Sequence, residues 1–300
     1  MSRSAAKAEP TATATSLIVH LRLPFQLLLS PVFLWGWLLA GGRLGPHFVL
    51  AFVSFHVFLY GGATAFNSYY DRDQGPIGGL EHPPTVVPAL LPFSLAVKAV
   101  GWLLAGLVNA PFFLAYGGFL LLSVAYSHPR VRLKARPWGS LLTVGLGQGV
   151  LAFGGAWFAS RGATLGDRGP IALLGGVAAT LLILGLYPLT QLFQVAEDAG
   201  RGDRTVAVAW VPRACFALSL ACLAVGGLLM VAVVARLHGA VDASVVGAGL
   251  AAQLAAVAWW ARRFDVRRVL WNFRYVMRLN TAGAAGLAAY LGVRLMLPAG

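Results

Sequence analysis

The chain has 300 residues, 58% of them hydrophobic and only 11% charged. A soluble domain carries about 25% charged residues, so a chain this apolar cannot cover itself in water, and a free soluble domain is excluded in favour of the bilayer. The formal net charge of +13 would suggest nucleic acid in a soluble protein; here it reads as membrane topology, and no nucleic-acid partner is expected.

Residues 1–15 are polar and rich in Ala, Ser and Thr. They lack the basic end, short apolar core and small-residue site of a cleaved signal, and read as a disordered cytoplasmic tail before a single transmembrane domain at 16–300. Apolar runs then predict nine spans, at 23–41, 48–68, 93–108, 111–127, 139–159, 170–193, 213–236, 243–261 and 278–297. A helix needs about 20 residues to cross a bilayer, so nine spans with short loops use most of the chain. The fold class is all-α, a polytopic membrane bundle of about nine helices. Turn signals separate the spans: Gly45-Pro46, Asn109-Ala110-Pro111 and Gly169-Pro170. The third span is short and carries Lys98 inside it. Cys215 and Cys222 lie in one apolar run and read as packing residues. His20, His56, His82 and His128 show no paired metal spacing.

With the N-terminus inside, 17 of the Lys and Arg residues fall on the inner side and 4 in outer loops, leaving Lys98 within a span and Arg294 near the last helix end. That bias predicts an integral protein of the cell inner membrane, with its N-terminus and inner loops cytoplasmic. Asp71, Asp73, Glu81, Glu197, Asp198, Asp203 and Asp265 share that side. Carboxylates contribute little to orientation, so their gathering at one membrane face points to a site.

The first cluster is Asn67-Ser68-Tyr69-Tyr70-Asp71-Arg72-Asp73-Gln74-Gly75-Pro76, at the end of the second span. Asn67 and Asp71 are four apart and share one helix face; Gly75-Pro76 stops the helix. The second cluster runs from Gln194 to Thr205 after the sixth span, and Gln194 and Asp198 repeat the four-residue spacing. Such hard oxygen donors suit Mg²⁺, which takes one or two protein carboxylates and leaves its other positions to water and phosphate. A polar helix end meeting water would resemble either cluster alone. Four spans separate the two, however, so both reach the same face and can grip a diphosphate from two sides. The loop from Tyr126 to Arg136 adds four cations on that face, Arg130, Arg132, Lys134 and Arg136, suited to holding an anion. The basic loop from Arg262 to Arg274 reads as an anchor on anionic lipid headgroups.

Taken together, these pieces resemble the UbiA superfamily of intramembrane prenyltransferases, over most of the chain. Asn67-Ser68-x-x-Asp71-x-Asp73 is similar to the family's Asn-Asp-x-x-Asp-x-x-x-Asp motif. Gln194-x-x-x-Asp198 followed by Gly202-Asp203-Arg204-Thr205 resembles its second motif. Tyr126-Ser127-His128-Pro129 with Arg132-Leu133-Lys134 resembles its Tyr-Ser-x-Pro…Arg-Leu-Lys loop, and Arg22-Leu23-Pro24 its early Arg-x-Pro. The departures are Ser68 for an Asp, Gly75 where the last Asp of the first motif is expected, and Gln194 for an Asp. The resemblance implies that Asn67, Asp71 and Asp198 hold a Mg²⁺–diphosphate, with Arg22, Arg132 and Lys134 on the diphosphate. Asp73, Gln194 and Glu197 complete the candidate metal ligands, and Arg72 and Arg204 the candidate diphosphate contacts.

The expected activity is Mg²⁺-dependent prenyl transfer from a prenyl diphosphate to a lipophilic or aromatic acceptor within the membrane, with Mg²⁺ as cofactor and membrane lipids as surroundings. Phe66, Tyr69, Tyr126, Tyr187 and Phe193 are candidates to shield an allylic cation. Two rivals stand beside this reading. A terpene cyclase of the same superfamily would use the same diphosphate without an acceptor. An organic-anion transporter or binding protein would use the cations, but it expects polar residues deep in the spans, where Gln148 and Lys98 are the main ones.

Overall fold

The computed structural model describes residues 10–160 and 168–297. Among them the regular secondary structure is helical, apart from one isolated bridge between Ile77 and Leu80. Arg3, Lys7 and Arg161, counted above for topology, lie outside the described residues, as does the tail before Pro10. Pro10–Val19, overlapping the rest of the expected tail, is helical.

Seven described helices are long and apolar enough to cross a membrane: α1 (Thr13–Leu39), α2 (Pro46–Asp71), α3 (Leu90–Val108), α4 (Ala110–Ser127), α5 (Pro137–Ala159), α6 (Gly169–Gln191) and α7 (Pro212–Arg263). The sequence reading expected nine spans, and the difference lies at the C-terminal end. The expected spans 213–236 and 243–261 fall within one 52-residue segment, α7, broken at Gly239 where φ is 86°. At 1.5 Å per residue, α7 is more than twice as long as the roughly 30 Å hydrocarbon layer is thick. The last helix, α8 (Val269–Met296), has 28 residues but is less apolar, carrying Asn272, Asn280, Arg274, Arg278 and Arg294.

Small residues let these helices approach closely. Gly36 of α1 faces α5, where an added Cβ would come within 2.4 Å of the Phe153 carbonyl oxygen. Gly226 of α7 faces α6, where a Cβ would come 3.0 Å from the Ala178 oxygen. Aromatic rings fill the remaining interior: Phe33, Trp35, Phe55, Phe112 and Trp157 are buried, and Trp35 ties α1 to α6 by donating from Nε1 to the Gly175 oxygen at 3.1 Å. α8 packs against α1 and closes the bundle. Lys98 is buried in α3 with its ammonium 3.9 Å from the centre of the Phe66 ring, which explains how an apolar helix carries it.

Two helices depart from α geometry midway, in π-helical turns at Ser54–Tyr60 of α2 and Gly145–Leu151 of α5. Such insertions re-aim the side chains that follow them and recur at functional sites. α2 then stops at Asp71, where Arg72 takes a left-handed conformation (φ 52°) and its N–H caps the Ser68 carbonyl. That stop sets the carboxylate of Asp71 at the end of the bundle.

Candidate active site

Three loops meet at one end of the bundle: those following α2, α4 and α6. An even number of crossings separates them, so they share a face in either orientation. A fourth contribution comes from α1, where the helix is interrupted at Arg22 (φ 49°). Among the described residues, the only non-glycine positions with left-handed backbone are Arg22, Arg72 and Arg132. Such a conformation costs an L-residue roughly 1–2 kcal/mol, and it turns the chain sharply enough to aim Arg22 and Arg132 into the space between the loops.

The charged groups form one connected network. Lys134 Nζ donates to Asn67 Oδ1 at 3.0 Å and pairs with Asp71. Asn67 Oδ1 also accepts from Ser127 Oγ at 2.8 Å. Arg132 donates to both oxygens of Asp203, from Nε at 2.7 Å and Nη2 at 2.8 Å, and from Nη2 to Asp71 Oδ1 at 3.2 Å. Arg201 pairs with Asp73 and with Asp198, three residues before it, and donates from Nε to Asp203 Oδ2 at 3.3 Å. Thr205 donates to Asp198 Oδ2 at 3.3 Å. Arg22 donates from Nη2 to Ser68 Oγ at 2.5 Å, while its buried Nε has no partner.

Burial and neighbouring charge pull these groups in different directions. Burial raises the Asp198 carboxyl to about 6, against the charges of Arg201 and Lys134. Asp73 is raised too, by burial and then by the charge of Asp71, with Arg201 opposing. Burial acts to raise Asp203 as well, but the hydrogen bond and charge of Arg132 outweigh it and the carboxyl sits below its usual range. For Arg201 burial works against the charge, and the surrounding carboxylates more than restore it.

A polar cavity of about 100 Å³ lies inside the network, lined by Arg22, Asn67, Asp71, Asp73, Lys134, Gln194, Asp198, Arg201 and Asp203 among others. It shares a wall with an apolar cavity of about 250 Å³ between α1, α6, α7 and α8, which includes Phe25, Leu29, Trp35, Leu182, Met230 and Leu287. Arg22, Gly78, Tyr126, Tyr187, Thr190 and Gln194 line both. Tyr126 and Tyr187 stand at this junction with their hydroxyls 2.9 Å apart, and Gln191 Nε2 donates to Tyr187 at 2.6 Å.

The structure therefore brings Asn67, Asp71, Asp73, Gln194, Asp198, Arg22 and Lys134 of the candidate set into one cavity, and joins Arg132 to it through Asp71 and Asp203. Glu197 sits elsewhere: its carboxylate accepts the N–H groups of Gln74 at 2.6 Å and Gly75 at 3.3 Å, clasping the loop after α2 to the second cluster. Arg72 is exposed, 5.7 Å from the Tyr69 ring centre. Arg204 is exposed too, and reaches the site only through its backbone N–H, bonded to the Ala135 oxygen at 3.0 Å. Of the candidate aromatic shields, Tyr126 and Tyr187 face the junction, Phe66 lies against Lys98, and Phe193 packs edge-on to Phe273. Sequence reasoning left out Arg201 and Asp203 as site residues. The three-residue step from Asp198 to Arg201, one helical turn, was the available signal.

A divalent cation fits this donor set in one manner. No three Asp, Glu, His or Cys side chains among the described residues converge as a closed metal site. Four carboxylates (Asp71, Asp73, Asp198, Asp203) face four cations (Arg22, Arg132, Lys134, Arg201), so a diphosphate entering this cavity brings negative charge that the cations alone do not cover. Hard oxygen donors on two sides suit Mg²⁺ shared with phosphate oxygens and water, and Arg22, whose buried Nε has no partner in the protein, lines the same cavity.

A family model described as the UbiA prenyltransferase family matches residues 28–282. Among solved structures, the fold is similar to a UbiA homolog from Archaeoglobus fulgidus bound to GPP and Mg²⁺, with a TM-score of 0.70 and 21% identity over 94% of this chain and 100% of that one. The same homolog bound to DMAPP and Mg²⁺ gives a TM-score of 0.65 and 22% identity over 93% and 99%. The apo UbiA homolog from Aeropyrum pernix K1 gives 0.65 and 20% over 91% and 98%. No sequence among the curated proteins matches.

Proposed function

The chain belongs to the UbiA prenyltransferase family, and we propose that it transfers a prenyl group from a prenyl diphosphate to a lipophilic or aromatic acceptor inside the membrane, in a Mg²⁺-dependent reaction. One observation carries this reading: a polar cavity of alternating carboxylates and cations shares a wall with a hydrocarbon-lined cavity, with two tyrosines at the junction. A prenyl diphosphate has that shape, an anionic head on an apolar tail. The fold relatives bound to GPP or DMAPP with Mg²⁺ support the same assignment. The nine-span topology with a cytoplasmic site belongs to this proposal, with Gly239 as the turn between the seventh and eighth spans.

Asn67, Asp71 and Asp198, with Asp73 and Gln194 beside them, would hold Mg²⁺. When bound, the metal supplies Lewis-acid stabilisation of the diphosphate oxygens. The protein's own groups do the rest. Arg22 and Lys134 bind and orient the diphosphate head, and Arg132 and Arg201 fix the carboxylates that face it. The C1–O bond breaks with its electron pair leaving on the diphosphate, and the nearby cations stabilise that charge as it grows. C1 accepts an electron pair from the acceptor, whose proton passes to the released diphosphate. The rings of Tyr126 and Tyr187 shield the allylic carbon, and the apolar walls keep water from capturing it. Glu197 positions the loop after α2.

The test is Mg²⁺-dependent release of diphosphate from geranyl and geranylgeranyl diphosphate by the purified protein, with and without a lipid extract as acceptor source. Release that needs Mg²⁺, Asp71 and the extract supports the transferase. A cyclic hydrocarbon formed without extract replaces it with a cyclase, and flux of the intact diphosphate in liposomes replaces it with a transporter.

A further inference from the structure

A third cavity, of about 160 Å³, adjoins the other two. It shares Tyr126, Tyr187 and Gln148 with the prenyl-sized cavity and Asn67 with the charged one. Both π-helical turns contribute to its wall. Ser54–Tyr60 ends in Tyr60, and Gly145–Leu151 carries Gly147 and Gln148. Two separate helices thus depart from α geometry where they border one chamber, a pattern that marks functional sites.

The polar groups of this chamber are unusual for a membrane interior. Tyr60 is buried and its hydroxyl has no hydrogen-bond partner. Gln26 is buried as well; its amide nitrogen donates to the Leu21 oxygen and to Thr64, but its Oε1 has no partner. Gln148, deep in α5, has no side-chain hydrogen bond to any other described residue. Buried polar groups are normally satisfied, because leaving them unmade is costly. Here a buried hydroxyl and a buried amide oxygen lack partners on the side chains around one space, with the half-buried Gln148 beside them. The remaining wall is apolar apart from Asn67 and hydroxyls that already have partners: Ser123 and Thr143 on backbone, Ser127 on Asn67, and Tyr126 and Tyr187 on each other. Among the described residues lining the chamber there is no Arg, Lys, His, Asp or Glu.

We propose that this chamber holds the acceptor, and that the acceptor is an uncharged lipophilic molecule bearing hydroxyl or carbonyl groups, recognised by Tyr60, Gln26 and Gln148. The proposal rests on the prenyl-transfer reading above and deepens it. The contact with Asn67 places one end of the acceptor beside the diphosphate head, and the shared Tyr126 and Tyr187 place it beside the reacting carbon. A carboxylate or phosphate on the acceptor would have to be buried here without a cation, which an apolar chamber strongly disfavours.

The experiment measures binding without turnover, to the full chain in detergent loaded with Mg²⁺ and uncleavable geranyl thiolodiphosphate. The probes are 1-naphthol, uncharged at neutral pH, and 1-hydroxy-2-naphthoate, its carboxylated counterpart; both are fluorescent. Naphthol is expected to bind saturably and about tenfold or more tightly than the carboxylate. Tyr60→Phe, which removes a single oxygen, should weaken naphthol binding about fivefold. Gln148→Lys, which adds a cation to the wall, should shift the preference toward the carboxylate. Carboxylate binding equal to or tighter than naphthol in the wild type overturns the proposal, as does absence of saturable naphthol binding or a Tyr60→Phe variant with unchanged naphthol affinity. Loss of diphosphate release in the separate turnover assay would count against the transferase reading and leaves these binding outcomes legible on their own.

Discussion

The two carboxylate clusters use the same residue types but are held in different ways. Asp71 ends the 26-residue α2 and is buried against cations from another loop, Lys134 and Arg132. Asp198 lies in a helix of six residues, Val195–Gly200, whose balancing cation, Arg201, follows three residues later. A helix that short has no stability of its own. Its position depends on the ion pairs of Arg201 and on the clasp from Glu197 to Gln74 and Gly75. The first cluster is thus a fixed wall, and the second an element held against that wall by charge.

The sharpest break of this comparison is at the carboxylates themselves. Asp71→Asn is expected to lower Mg²⁺-dependent diphosphate release about 10³-fold and Asp198→Asn about 10²-fold, by loss of groups that stabilise charge at the reacting head. Single-turnover release would measure both, and full activity in either variant would remove that cluster from the chemistry. Next comes Arg201→Gln, which leaves Asp73, Asp198 and Asp203 short of their shared partner. Losing one partner of a buried pair costs about 3 kcal/mol or more, so thermal unfolding in detergent should shift down markedly. Lys134→Gln should shift it less, because Asp71 keeps Arg132 and Asn67 keeps Ser127.

A pH titration sharpens the contrast further. The Asp198 carboxyl is raised to about 6, so above that pH it is charged and available to a cation. As pH falls through about 6 it takes a proton, and Mg²⁺ affinity measured by calorimetry should drop, approaching about tenfold per pH unit. The same shift means that burying the charged form costs stability, so the fold itself should gain slightly as pH falls from about 6 toward the ordinary carboxylate range. Asp198→Asn should flatten both curves. The smallest effect is expected at Glu197→Gln, which keeps the shape of the clasp and removes its charge: KM for the prenyl diphosphate should rise about threefold with kcat little changed.

Much of the site was legible because membrane physics is so restrictive. Asn67 with Asp71 and Gln194 with Asp198 stood out as oxygen donors on single helix faces beside long apolar runs, and their sidedness needed only a count of crossings. Glu197 carries the same chemistry as Asp198 in the sequence, and only three-dimensional packing turns it toward Gln74 and Gly75. Arg201 was visible as a residue but not as the hub of three carboxylates, since two of those, Asp73 and Asp203, depend on loop conformation. The π-helical turns had no sequence signature at all, because an inserted residue leaves hydropathy unchanged; Gln148 was noticed only as a polar residue in an apolar helix. The long α7 shows the converse. The sequence reading ended one span at 236 and began the next at 243, yet apolar runs on either side of that gap cannot say whether the chain turns back at Gly239.

The charge network also has an order of assembly, because its partners lie far apart along the chain. Asn67 and Asp71 reach the membrane face before Lys134 and Arg132 exist, and Asp73 has no partner until Arg201 emerges behind α6. Before that point Asp71 already has its partners, Lys134 and Arg132, whereas Asp73 lacks Arg201. Only the loop after α6 then joins the other two, through Arg201 to Asp73 and Asp203 to Arg132. The charged cavity is therefore complete only when all three loops are in place.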